Sequence, residues 1–397
     1  MKKIGILVSL TVIWGCSSHE MNDIPEEIQG LENLTVFPAK KEVPHQIDLE
    51  REQSFGDTEE TLFGNLGDIT VDERGRVFIA DTQKMLIYVF EYDGRLIAEL
   101  GREGQGPGEF GSIKSLHISN DRLYAFDPNR FMVHVFSLDT LTGNKTVILA
   151  ENREEFQELS RAFPLINELF IRHDDTYIAK FISEKVEELV AWKNYEVKGL
   201  LYPLNNSGKI SAGRILEFLY EMRTLTTFRD GLGGIVSVKP FFGKVLTVLS
   251  RDNSIYQAKP NHFMIKIHSP EGAYQRAFFY PHEKIPLTHE SAVEAGVVDY
   301  FIENMSSIDL PQFWPVLTEM IIDHDDRLWV AATVEDMNVM EWWVLENTGE
   351  LITKFEWPRD EPIEAVQNDY LYTRQTDEET GLEQIVRYRY EWSAKGI

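Results

Sequence analysis

The chain has 397 residues, 39 Lys and Arg against 65 Asp and Glu, a formal charge of −26 and one cysteine. Its 43% hydrophobic content excludes wholesale disorder. A single Cys excludes an internal disulfide framework or a multi-Cys zinc site. The acidic balance argues against nucleic-acid binding, which requires a basic face to displace counterions.

At the N-terminus Lys2 and Lys3 precede an apolar run from Ile4 to Trp14. That run is shorter than the roughly twenty residues a membrane span needs and fits a secretory h-region. Ile13-Trp14-Gly15-Cys16 resembles a bacterial lipobox. The resemblance implies a signal peptide over 1–15, removed to leave Cys16 as the lipidated first residue. Ser17 following Cys16 implies, by the same resemblance, the outer membrane. Residues 16–33 read as an acidic tether. The mature chain, at −28 once Lys2 and Lys3 are removed, would be repelled by an anionic membrane, so the lipid is the expected anchor.

The rest of the chain repeats. A tight polar turn, a polar or basic residue and an apolar strand occur as Gly75-Arg76-Val77-Phe78-Ile79-Ala80-Asp81, Asp121-Arg122-Leu123-Tyr124-Ala125-Phe126-Asp127 and Asp326-Arg327-Leu328-Trp329-Val330-Ala331. Looser copies start at Asp175, Gly243 and Asp369. Each copy has a strand before it and two after, for example Asp68–Val71, Ile87–Phe90 and Leu96–Leu100 around the first. The strand assigned before Gly243 is Ile235–Val238. Four strands per unit at this spacing predict propeller blades, and six copies predict a closed six-bladed ring. After Asp369 only one long strand remains, Gln384–Trp392. The sixth blade therefore lacks a strand, which Leu34–Phe37 or His45–Leu49 would supply. Closure of this kind buries the edges that an open sheet exposes.

The loop Gly101-Arg102-Glu103-Gly104-Gln105-Gly106-Pro107-Gly108-Glu109-Phe110 resembles the signature of six-bladed β-propeller lipoproteins of Bacteroidota-type bacteria, related to NHL-repeat and TolB-like propellers. The resemblance is strongest across 62–140 and implies an all-β propeller over 34–397. Its GxGxxG segment runs into Ser112-Ile113-Lys114-Ser115-Leu116, a strand pattern. A dinucleotide site would require a helix there.

Strand order predicts two unlike faces. First-to-second and third-to-fourth turns share one face and are short. Second-to-third turns and blade connections share the other, where residues 101–111, 150–163, 208–230 and 286–310 are long. The reading expects helices in the last three, with Ile215, Leu216, Phe218, Leu219 and Met222 on one helical side. It also expects a capping box at Ser291-Ala292-Val293-Glu294 and an apolar stripe of Val293, Val297, Val298, Phe301, Ile302 and Met305. Function is expected on this long-loop face.

Arg102 and Gln105 are candidates to point into the funnel from that face. Asp81 and Asp127 end equivalent second strands, and Asp127-Pro128-Asn129-Arg130 brings Arg130 beside the second. A ring of such carboxylates holds Ca²⁺, but Leu249, Ala332 and Gln375 interrupt it, and the same positions suit Asx turns. No cofactor is expected, with Ca²⁺ the one candidate. Trp314 is an aromatic candidate for stacking on sugar or peptide. In Trp342-Trp343 strand alternation leaves one ring outward. His173-Asp174-Asp175 and His324-Asp325-Asp326 read as solvated turns. HExxH and GxSxG are absent, and no catalytic residue is assigned. The expected function is a membrane-anchored binding module for an envelope protein, peptide or glycan. The alternative is a metal-dependent propeller hydrolase or lyase.

Overall fold

A computed structural model describes residues 24–39, 42–56, 62–149, 166–184, 194–227, 234–238, 241–297, 310–378 and 380–394. Cys16, residues 150–163, and Val298, Phe301, Ile302 and Met305 lie outside them. The first described elements are a short helix, α1 (Glu26–Gln29), then β1 (Leu34–Val36) and β2 (His45–Phe55). Blade 1 is β3 (Leu66–Val71), β4 (Val77–Asp81), β5 (Leu86–Phe90) and β6 (Leu96–Leu100). Blade 2 is β7 (Ser115–Ser119), β8 (Arg122–Asp127), β9 (Met132–Ser137) and β10 (Thr142–Ile148). Blade 3 is β11 (Ile166–Ile171), β12 (Tyr177–Glu184), β13 (Asn194–Leu204), β14 (Leu216–Thr227) and β15 (Gly234–Val238). Blade 4 is β16 (Leu246–Leu249), β17 (Ile255–Ala258), β18 (Met264–His268) and β19 (Tyr274–Phe279), followed by α2 (His289–Glu294). Blade 5 is β20 (Leu317–Ile322), β21 (Leu328–Thr333), β22 (Val339–Leu345) and β23 (Leu351–Pro358). Blade 6 is β24 (Ile363–Gln367), β25 (Tyr370–Thr376) and β26 (Glu383–Ala394), with β2 as its outer strand.

The closure is as the missing strand required. β2 runs antiparallel to β26 from His45 opposite Ala394 to Phe55 opposite Ile385. Of the two candidate segments His45–Leu49 closes the ring and continues to Phe55. Leu34–Val36 instead adds to the outer edge of blade 4, parallel to β19.

Each blade is sandwiched between two others, so its middle strands are buried on both sides. Val77–Asp81 and Leu328–Thr333 are buried along their whole length and read as continuous rather than alternating apolar runs. The main core is correspondingly a circle of clusters, one at each blade junction. Phe78, Leu100, Phe110 and Leu123 fill the first, and Phe126, Val147, Leu169 and Tyr177 the second. Phe170, Leu201, Ile255 and Phe218 fill the third, and Phe263, Phe278, Leu328 and Trp343 the fourth. Trp329, Leu371 and Tyr390 fill the fifth, and Phe55, Val77, Phe90 and Tyr372 the sixth. Trp342 and Trp343 are both buried, because the junctions on either side of blade 5 each take one ring.

The second strand of each blade starts from a residue with left-handed backbone: Gly75, Asp121, Asp175, Asn253, Asp326 and Asp369, with φ between 56° and 78°. Gly, Asp and Asn are the residues that tolerate this conformation, which accounts for the repeated turn. It also corrects the fourth copy. Gly243–Val248 leads into the innermost strand of blade 4, whose second strand starts after Asn253, and Ile235–Val238 pairs with β14 in blade 3.

Residues 208–230 differ from expectation as well. Leu216–Thr227 is a strand, with Leu216 and Phe218 turned into the junction of blades 3 and 4 and Leu219 turned out. Their spacing satisfies both periods, and pairing with β13 selects the strand. The capping box lies three residues earlier than expected. Thr288 accepts from the Ser291 amide at 3.0 Å, and the Ser291 hydroxyl accepts from the Thr288 amide. Val293 faces outward.

Candidate functional site

The two faces are built differently. On the turn face, side chains bridge blade to blade. Asn368 Nδ2 donates to the Asp72 carbonyl at 3.1 Å, joining blades 6 and 1. Arg74 pairs with Asp139 at 2.8 Å, joining blades 1 and 2. Asn120 Nδ2 donates to the His173 carbonyl at 2.5 Å, and the His173 amide donates to Asn253 at 3.2 Å. The Arg251 amide donates to Asp326 at 2.8 Å, and the Asn368 amide to His324 Nδ1 at 3.4 Å, completing the circle. In four of the turns a carboxylate, Asp72, Asp174, Asp252 or Asp323, holds its own backbone. Asp72 accepts from the Arg74 and Arg76 amides and Arg76 Nε, and Asp323 accepts from the Asp325 and Arg327 amides, Arg327 Nε and Trp329 Nε1. The His-Asp-Asp turns are thus part of this circle. It surrounds an open bowl of about 720 Å³ at the channel mouth.

On the long-loop face the sequence candidates fall into separate places. Asp81 is wholly buried, and its two oxygens accept from the amides of Gly64, Asn65, Gln83 and Lys84. Asp127 is likewise buried, accepting from the Gly111 and Arg130 amides and the Ser112 hydroxyl. Arg130 Nη1 donates to the Glu109 carbonyl at 3.1 Å. Arg102 forks onto Glu109 at 2.6 and 2.8 Å, and the Gly106 amide holds the other Glu109 oxygen at 2.7 Å. Those contacts lower the Glu109 carboxyl below its usual range, the Gly106 amide first and Arg102 second. Arg102, Asp127 and Arg130 therefore meet around the 101–111 loop, which Phe110 anchors in the core. Gln105 is exposed on its tip. Asp81 and Trp314 lie elsewhere.

Inside the channel, innermost strands bring charges together. Burial pushes Asp68 up to about 7 although its carboxylate accepts from the Leu116 amide at 2.7 Å. Glu319 is pushed to about 7 by burial and then by neighbouring Glu364, which itself pairs with Arg374 at 2.7 Å. Across from them Lys180 pairs with Glu168 and lies 4.4 Å from the Tyr220 ring; burial lowers it. Tyr220 is the extra residue of a bulge in β14. Its carbonyl accepts from the Val245 amide at 2.8 Å, so the outer strand of blade 3 tucks over the entry to blade 4.

Beside that tuck is a cleft of about 480 Å³, lined by segments 219–222, 241–245, 259–261 and 311–315 and by Lys284. Trp314 forms its floor: its Nε1 donates to Ser291 Oγ at 2.9 Å, and Phe241 meets it edge-on at 5.7 Å. Gly243, at φ 64°, passes so close to Pro260 and Pro315 that a Cβ would lie 2.6 and 3.1 Å from them. Phe313 and Leu219 stand on the rim, 39% and 42% exposed. Among the described residues no group of three His, Cys, Asp or Glu gathers to hold a metal ion. Sequence reasoning found Trp314 but missed Phe241, Phe313 and the flanking lysines, which share no motif and come from four separate connections.

Residues 56–157 match the family described as a 6-bladed beta-propeller, DUF5128. No curated protein matches the chain. Among solved structures, a DUF4221 family member from Bacteroides vulgatus ATCC 8482 is similar with a TM-score of 0.53 and 10% identity, covering 89% of this chain and 100% of that one. A Bacteroides fragilis NCTC 9343 protein provisionally named as exported gives 0.48 at 11% identity, covering 90% and 99%. Virginiamycin B lyase from Staphylococcus aureus gives 0.37 at 13%, covering 89% and 90%. With the closure of β2 onto β26 and the circle of six junctions, the chain is a six-bladed β-propeller.

Proposed function

We propose that the protein is exported, anchored by lipid to the bacterial outer membrane, and works as a binding module whose long-loop face holds an envelope protein, peptide or glycan. The leader and Cys16 support export and anchoring. Among the described residues no helix is long and apolar enough to cross a membrane. More than one acyl chain, as bacterial lipoproteins carry, gives stable attachment where one alone is marginal. The observation that carries the binding role is the cleft beside blades 3 to 5. It is concave, floored by a buried indole and rimmed by exposed Phe313 and Leu219. Aromatic anchors of this kind dominate recognition sites.

Affinity capture of the lipidated protein from its own membranes tests this. A partner held by the parent should be lost with Phe313→Ala combined with Leu219→Ser and kept with Arg251→Ala on the turn face. The opposite pattern would sink the assignment of faces. Cys16→Ser should move the protein from the membrane fraction to the soluble one; persistence in the membrane would refute the anchor.

A further inference from the structure

We propose that the cleft beside blades 3 to 5 binds a short apolar peptide segment through its carboxylate, an inference that rests on the long-loop face being the binding face. The chain carries an excess of acid, so its cations should find partners, and most do. Lys84, Lys114, Lys145, Lys180, Lys198 and Lys354 each hold a carboxylate, amide, hydroxyl or carbonyl oxygen. Lys244, Lys259 and Lys284 hold none among the described residues; Lys284 only approaches the Phe313 ring, at 5.9 Å. Lys259 and Lys284 line the cleft, and Lys244 stands between two residues that do. The one carboxylate in the lining, Glu221, is already taken by Arg223 at 2.6 Å. Two lysines without a partner among the described residues, in a chain of −26, therefore face one concave site, where they would attract and orient an anion.

The remaining lining describes the rest of the ligand. Phe313, Leu219 and Trp314 offer apolar and aromatic surface. The side-chain amides of Asn261 and Gln312 also face the cleft and form no hydrogen bond among the described residues. A peptide backbone satisfies such amides, whereas a hydrocarbon chain would leave them unpaired at a cost. The volume of about 480 Å³ is within the range of ligand pockets.

The test is fluorescence anisotropy with the full mature chain and labelled Ala-Phe-Leu, as the free acid and as the C-terminal amide. The free acid should bind at least about tenfold more tightly, the equivalent of about 1.4 kcal/mol. Lys259→Gln and Lys284→Gln should each weaken the acid several-fold and leave the amide unchanged, and added salt should erode the difference. Unchanged thermal unfolding of both variants would separate lost binding from lost fold. Equal binding of acid and amide, binding of neither, full affinity in the lysine variants, or preference for lauric acid over the peptide would each overturn the proposal. Partner capture that still depends on Phe313 in that event would leave the long-loop face as the binding face.

Discussion

The two mouths of the channel solve opposite problems with the same kinds of residue. On the turn face, Arg74, Asn120, Asn253, Asp326 and Asn368 are each spent on a neighbouring blade, so polar chemistry there ties the circle together. On the long-loop face, loops hold themselves first, as Glu109 and Arg102 do, and among the described residues leave Lys259 and Lys284 unspent around an aromatic cleft. The larger cavity is at the tied mouth and the better-furnished one at the other. Size alone would have chosen the wrong end if affinity comes from anchors and free charge.

The difference can be broken in graded ways. Deleting residues 45–55 removes the closing strand and wholly buried Phe55, and should abolish the cooperative thermal transition; a sharp transition in the deleted chain would refute the closure. Trp329→Ala empties the junction of blades 5 and 6 and takes the indole donor from Asp323, at about 3–5 kcal/mol by chemical denaturation. A loss below about 1 kcal/mol would mean that the junction collapses freely.

Acidity separates the two mouths more gently. Asp68 and Glu319 keep their protons to about pH 7 when folded, whereas the unfolded chain releases them near pH 4. Their effect is nil below both values. Stability then falls as pH rises from about 4 to 7, because the folded state binds the extra protons. On the turn face the Thr176 hydroxyl lowers Asp174, and hydrogen bonds from Tyr124, Asn120 and Arg122 outweigh burial at Asp175. These two contribute stability above about pH 4 that is lost in acid. Melting curves of Asp68→Asn with Glu319→Gln should therefore lie above the parent at pH 8 and converge with it near pH 4. Parallel curves would dismiss the raised pair. Asn253→Ala and Asn368→Ala should each cost about 1 kcal/mol and leave peptide binding intact. The smallest effect on stability is expected for Lys259→Gln and Phe313→Ala, within about 0.5 kcal/mol, with free-acid binding weakened in both.

Much of the ring was readable because its turn signature has a local cause. A left-handed residue followed by a buried strand recurs wherever a blade begins its second strand, so Gly75, Asp121, Asp175, Asp326 and Asp369 announced themselves. Blade 4 slipped because Gly243 is also left-handed and precedes an apolar strand, so it carries the same signature as the true turn at Asn253. Leu216–Met222 fits a helix and a strand equally, and only pairing across the sheet decides between them. The cleft was illegible for a different reason. Being unpartnered is a property of position, and that Lys259 and Lys284 have no partner among the described residues shows only once those residues have been placed.

The most direct measurement places one photo-crosslinking residue at each mouth, at Phe313 beside the cleft and at Arg251 in the bowl, in the lipidated protein on its own membranes. The account predicts a discrete adduct from position 313 that excess free-acid peptide suppresses, and no such adduct from 251. An adduct formed only from 251 would contradict it.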